Sequence, residues 1–183
     1  MDGERKRLHW VETLGGPHLV LPEAYASAWE GFLVPSGGRI VQASFRCNPG
    51  SPATDYDRAC SVEAWLGVIT VGKGKALVLH GDDSIAAYYR RARGNHYILR
   101  WHYAPSETAL LDHFDDVRDR LKIEHEVKFP HPGGKVYLMD SVDVPGQWMT
   151  PPGLFVLPRG SYRVLTSHTE DPETSIIVHH FRR

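Results

Sequence analysis

The chain has only two cysteines in 183 residues, no excess of either charge, and no long apolar run. Each shortage excludes something. Cys47 and Cys60 cannot staple a chain of this length, so both are expected as buried free thiols in a reducing compartment. Lys plus Arg number 21 against 22 Asp plus Glu, a formal net charge of −1. Such balance gives no global attraction to nucleic acid or to an anionic membrane, and neither is expected as a partner. A charged partner needs a local patch. No stretch approaches the roughly 20 apolar residues of a membrane span. The opening MDGERKRLHW is charged and lacks the apolar core of a signal peptide. The expectation is a cytoplasmic protein.

Catalytic signatures are also missing. The chain has no G-x-S-x-G elbow, no C-x-x-C and no H-E-x-x-H. GVITVGKG (67–74) approaches the phosphate-loop pattern, but Gly74 replaces the hydroxyl residue and strand-like residues stand on both sides. It reads as a hairpin. The eleven histidines follow no recognised ligand spacing, and the adjacent His179 and His180 must face opposite sides of a strand. No metal and no cofactor are expected.

What the chain does contain is β-rich. WVETLGGPHLVLPE (10–23), GVITVGKGKALVLHGD (67–82) and HEVKFPHPGGKVYLMDS (125–141) each read as strand, tight turn, strand. An extended run follows each one, at 39–47, 96–104 and 161–169. A threefold internal β-repeat is one expectation; the other is that hairpins ending in apolar strands resemble each other in any β protein. A last hairpin joins YRVLTSH (162–168) to SIIVHHF (175–181), and four prolines make 145–158 an irregular crossing. A short helix is expected near 23–31, after Pro22. A longer one is expected at 106–121, where Ser106 caps and Leu110, Phe114, Val117 and Leu121 recur at helical spacing. The fold class is therefore α+β, mainly antiparallel sheet, as one domain over 1–183.

Two places carry candidate function. In ILRWHYA (98–104), Trp101 sits in a core row with Leu99 and Tyr103, while Arg100 and His102 share the other face. A buried Arg100 needs a partner, and Asp55 or Asp57 of DYDRAC (55–60) is the candidate, read as an extended or loop segment anchored on the sheet. The alternative makes Asp55, Asp57, Arg100 and His102 a catalytic cluster, but no complete constellation accompanies them. The second place is the helix at 106–121, whose Asp112, Asp115, Asp116 and Asp119 form one stripe. Four like charges repel, and aspartate is a poor interior helix former. The stripe is either a solvated face or a contact for a basic partner.

Taken in order, WVETLGGPHLVLPE, DYDRAC, VGKGKALVL and the RW of LRWHYA resemble the immunity protein 21 family of bacterial polymorphic toxin systems. The resemblance is strongest over about 10–104 and looser beyond. It implies a small non-catalytic cytoplasmic protein that binds and neutralises a toxin encoded by a neighbouring gene, with no catalytic residues to transfer. The stripe at Asp112, Asp115, Asp116 and Asp119 is then the candidate toxin contact, and a nuclease or another enzyme with a basic surface the candidate toxin. Asp55, Asp57, Arg100, His102 and Trp101 become scaffold. The competing functions are a small enzyme using the Asp/Arg/His cluster and a structural partner in an assembly. The oligomeric state is left open.

Overall fold

A computed structural model describes residues 7–45, 52–81, 85–91 and 94–183. Cys47 lies outside them. Among the described residues the strands form two six-stranded antiparallel sheets. The first contains β1 (Trp10–Glu12), β6 (Ile85–Arg90), β7 (His96–Tyr103), β12 (Ser175–Arg182), β11 (Gly160–Glu170) and β8 (His125–His131), in that spatial order. The second contains β10 (Gly153–Leu157), β9 (Gly134–Asp140), β2 (His18–Pro22), β5 (Gly74–Leu79), β4 (Leu66–Val71) and β3 (Ile40–Gln42).

The sheets pack face to face. Ile98, Phe129, Tyr162, Val164 and Phe181 of the first meet Val20, Val68, Leu77, Leu138 and Leu157 of the second in one buried cluster. Both outer faces are partly covered as well. Helix α2 (Glu107–Val117) lays Leu110, Leu111 and Phe114 on Leu99, Ile176 and Val178 of the first sheet. Trp29, Ala59 and Val62 cover Leu19, Ile69, Val78 and Met139 of the second, the first of them following a 3₁₀ turn at Glu23–Ala28. Central strands with both faces covered are continuously apolar, which is why HLVLP of β2 is buried at every residue. The edge strand β8 alternates instead, placing Pro130 where no ladder donor is needed.

The α+β, mainly antiparallel architecture matches the sequence reading, and its elements correct parts of it. Of the three expected hairpins only β4–β5 forms, with Val71 opposite Gly74. β1 and β8 lie in the first sheet while β2 and β9, which follow them, lie in the second. Those two turns are crossings between sheets, so the threefold hairpin repeat is not present. The physical reason is burial: β8 alternates buried and outward residues as an edge of the first sheet, whereas β2 is buried throughout and β9 is buried from Val136 onward apart from half-buried Tyr137. The expected helix at 23–31 is the 3₁₀ turn at Glu23–Ala28. The helix expected at 106–121 is α2 plus a 3₁₀ turn at Arg118–Arg120, and the Ser106 hydroxyl accepts from Ala109 N as its cap. DYDRAC is a helix, α1 (Asp55–Cys60), closed by a capping box between Thr54 and Asp57. Among the described residues no helix is long and apolar enough to cross a membrane.

Candidate binding surface

Arg100 is fully buried between the sheets, next to Ile98 on the inward face of β7. Its Nη1 donates to the His80 carbonyl at 2.6 Å and its Nη2 to the Gly81 carbonyl at 3.1 Å. It therefore holds the chain just after β5, and not DYDRAC. Asp55 and Asp57 bond elsewhere, and α1 packs through Ala59 on the outer face of the second sheet. His18 and His179 are buried near it and stay neutral. Burial, partly offset by a hydrogen bond to the Val11 carbonyl, lowers the pKa of His18 to about 3, with Arg100 adding to the fall. Burial likewise holds His179 well below its ordinary value, helped by Arg100, His18 and His125. His102 shares the face of Arg100 but is exposed, its ring 6.1 Å from that of His168. Trp101 is half-buried at the margin of the α2 cluster, edge-on to Trp10 at 5.2 Å, and Tyr103 is 40% exposed. The expected core row narrows to Leu99.

The DYDRAC helix carries its own cation. Arg58 Nη2 contacts Asp55 Oδ1 at 2.6 Å, one helical turn away, with both side chains buried. Asp55 also accepts from Glu30 N at 2.9 Å and from the Ser36 hydroxyl, while Arg58 Nη1 donates to the Ser36 and Ala53 carbonyls. So the anchor exists, within α1, and what it anchors is the loop 29–36. Asp57 is spent on the capping box, and its bonds to Thr54 keep its pKa low. Cys60 is exposed, not buried as expected. Its side chain still lies partly against the protein, and this partial burial, with the carboxylates of Asp57 and Asp140, pushes the thiol pKa up against a hydrogen bond from Tyr56, the reverse of an activated nucleophile.

Two more buried carboxylates organise adjoining loops. Asp140, at the end of β9, accepts from Leu14 N at 2.6 Å and Val142 N at 3.1 Å. Asp143 accepts from Met149 N at 3.0 Å and from Thr150, and its carbonyl accepts from the Trp29 indole at 2.9 Å. Gly31, with φ +55°, lies so close that a Cβ there would stand 2.7 Å from the Val142 carbonyl. Loops 13–16, 29–36 and 141–150 are thus tied together. They carry Leu14, Phe32, Leu33, Val34 and Met149, all between 46% and 68% exposed. Apolar side chains held outward on fixed backbone form a binding surface more readily than a solvated loop does.

The acidic stripe, on α2 and the 3₁₀ turn after it, is divided. Asp115 is half-buried and engaged by Arg91 and by Arg118, the latter at 2.8 Å, which ties α2 to the end of β6. Asp112, Asp116 and Asp119 are exposed. Among the described residues no group of three His, Cys, Asp or Glu side chains is placed to hold a metal ion.

The model of the immunity protein 21 family matches residues 9–175. The chain belongs to the immunity protein 21 family. No curated protein and no solved structure matches it. Membership gives an immunity, or antitoxin, role and implies a toxin partner. Two features that would serve recognition of a partner leave only weak signals in the sequence. Asp140 and Asp143 stand in MDSVDVPG, where carboxylates beside turn residues signal side-chain capping of a loop. Phe32-Leu33-Val34 follow Gly31 outside any periodic segment, which is the signal of an apolar loop.

Proposed function

We propose that this immunity protein neutralises a toxin encoded by a neighbouring gene by binding it directly, without catalysis, through the loops bearing Leu14, Phe32, Leu33, Val34 and Met149. The observation that carries this reading is the set of buried carboxylates, Asp55, Asp140 and Asp143, that fix those loops. A surface ordered before binding loses little conformational entropy on docking, and its apolar centre supplies the affinity. The exposed Asp112, Asp116 and Asp119 support a second, electrostatic part in the same function. They suit a toxin with a basic surface, such as a nuclease, by speeding encounter. Asp115 contributes to the fold more than to docking, because Arg91 and Arg118 already neutralise it.

The experiment is co-expression with the product of the adjacent toxin gene. Cells are expected to survive only when both are made, and the two chains to elute together at fixed stoichiometry after purification. Protection without a stable complex would point to an enzymatic route and contradict the proposal.

A further inference from the structure

At the end of the sandwich away from Asp140, cations gather. Lys128 of β8, Arg163 of β11 and Arg182 of β12 stand directly opposite one another on three adjacent strands. Like charges in direct cross-strand register destabilise a sheet. Glu126 relieves part of this, pairing with Arg163 through two contacts of 2.6 Å. The remaining positive charge is concentrated around a cavity.

That cavity, of about 640 Å³, is lined by Arg90, His96, Tyr162, Arg163, Arg182 and Arg183. Arg183 is held in place: its Nε donates to the Tyr162 hydroxyl at 3.2 Å and its Nη2 to the Arg159 carbonyl at 3.1 Å. Across the 158–161 turn lies a second cavity of about 690 Å³, lined in part by Lys73, Lys75, His131 and Arg159. Among the described residues no Asp or Glu side chain lines either one. The cations are near enough to be felt by His96, whose pKa is lowered first by burial and then by Arg90 and Arg183.

We propose that these adjoining cavities bind a phosphate-rich anion, with the four-arginine cavity as the main subsite. With Arg163 already paired to Glu126, the guanidinium groups of Arg90, Arg182 and Arg183 still call for several negative charges close together. A carboxylate brings one, whereas a phosphate monoester brings about 1.5–2 at neutral pH. The arginine fork also matches two phosphoryl oxygens at once, which a lysine ammonium cannot do. The second cavity shares the 158–163 segment with the first, so a chain of phosphoryl groups is the ligand that both would serve. Free oligophosphate and a nucleic-acid backbone share this chemistry. The site stands apart from the apolar loops and does not depend on the toxin reading.

The test uses the full chain at low salt with three probes: sodium tripolyphosphate, a short oligothymidylate and a hexaglutamate peptide. Calorimetry is expected to show saturable binding of at least one phosphate probe, and NMR a rise in the pKa of His96 when it binds. Tighter binding of tripolyphosphate assigns the site to free oligophosphate, and tighter binding of oligothymidylate to a nucleic-acid backbone. Arg90→Gln with Arg182→Gln removes two exposed side chains, and the affinity is expected to fall at least about tenfold with melting unchanged. Lys73→Gln with Lys75→Gln, in the second cavity, is expected to weaken oligothymidylate, the longer phosphate probe, more than tripolyphosphate. Absence of binding by both phosphate probes, equal affinity in both double variants, or hexaglutamate binding as tightly as tripolyphosphate would overturn the proposal.

Discussion

Buried charges in this molecule are used to fix backbone. Asp55 and Arg58 are both nearly inaccessible, and each also binds the loop at 30–36. Removing one partner strands the other in a low-dielectric site, at a cost of about 3–5 kcal/mol. A double-mutant cycle of Asp55→Asn with Arg58→Met is expected to give at least about 1 kcal/mol of coupling in urea unfolding, and additivity would break the anchor. Asp55→Asn with Arg100→Met should be additive, since Arg100 binds the His80 and Gly81 carbonyls. The histidines make a second residue-scale prediction. His18 and His179 are neutral when folded, with pKa values depressed, and protonate near pH 6.5 when unfolded. The unfolded state then binds more protons below that pH, so stability is full above about pH 6.5 and falls on acidification. The slope approaches about 1.4 kcal/mol per pH unit for each histidine. Thermal melts between pH 7 and 4.5 should show this decline, and His18→Gln, which can still donate to the Val11 carbonyl, should flatten it. That Arg100 needed a buried partner was legible from its strand. Which partner was not, because carbonyls of a turn leave no mark in the sequence.

Elements were legible where they were long and periodic. The spacing of Leu110, Phe114 and the Ser106 cap placed α2, and its buried residues agree. α1 spans six residues, too short for a hydrophobic period, and only its capping box marks it. Strand positions around the expected hairpins held, but pairing did not: β1 and β8 found partners distant in sequence, a choice made by the two layers rather than by the turns. Trp101→Ala, at the margin of the α2 cluster, is expected to cost about 2–3 kcal/mol in chemical denaturation, below the 3–5 of a fully buried aromatic. For the acidic face, Asp112→Asn, Asp116→Asn and Asp119→Asn together should slow toxin association and make its salt dependence shallower, with melting unchanged. Asp115→Asn alone should instead lower stability by up to about 1 kcal/mol, as fits a partly exposed pair. Unaltered association rates in the triple variant would leave the stripe as a solvated face.

At the scale of the whole molecule, two sheets and their partial outer cover form a stiff scaffold, and recognition is left to what the scaffold holds outward. A net charge of −1 conceals that arrangement. Acidic residues of α2 lie on one side and the arginines of β11 and β12 at one end, brought together from positions far apart in the chain. The apolar loops were hidden for the same reason: the segments bearing Leu14, Phe32 and Met149 are tied together only through Asp140, Asp143 and the close approach at Gly31. Family membership fixes the role, and the surface that performs it is the central claim. The most direct measurement is the dissociation constant of the complex with the adjacent gene's toxin, for the parent and for Phe32→Ser, Leu33→Ser and Met149→Ser combined. These side chains are about half exposed, so the variant should stay folded with a modest fall in melting temperature. If each contributes as an interface anchor, the constant should rise by on the order of 10³-fold. An unchanged constant in a folded variant would contradict the account and place the toxin on another face.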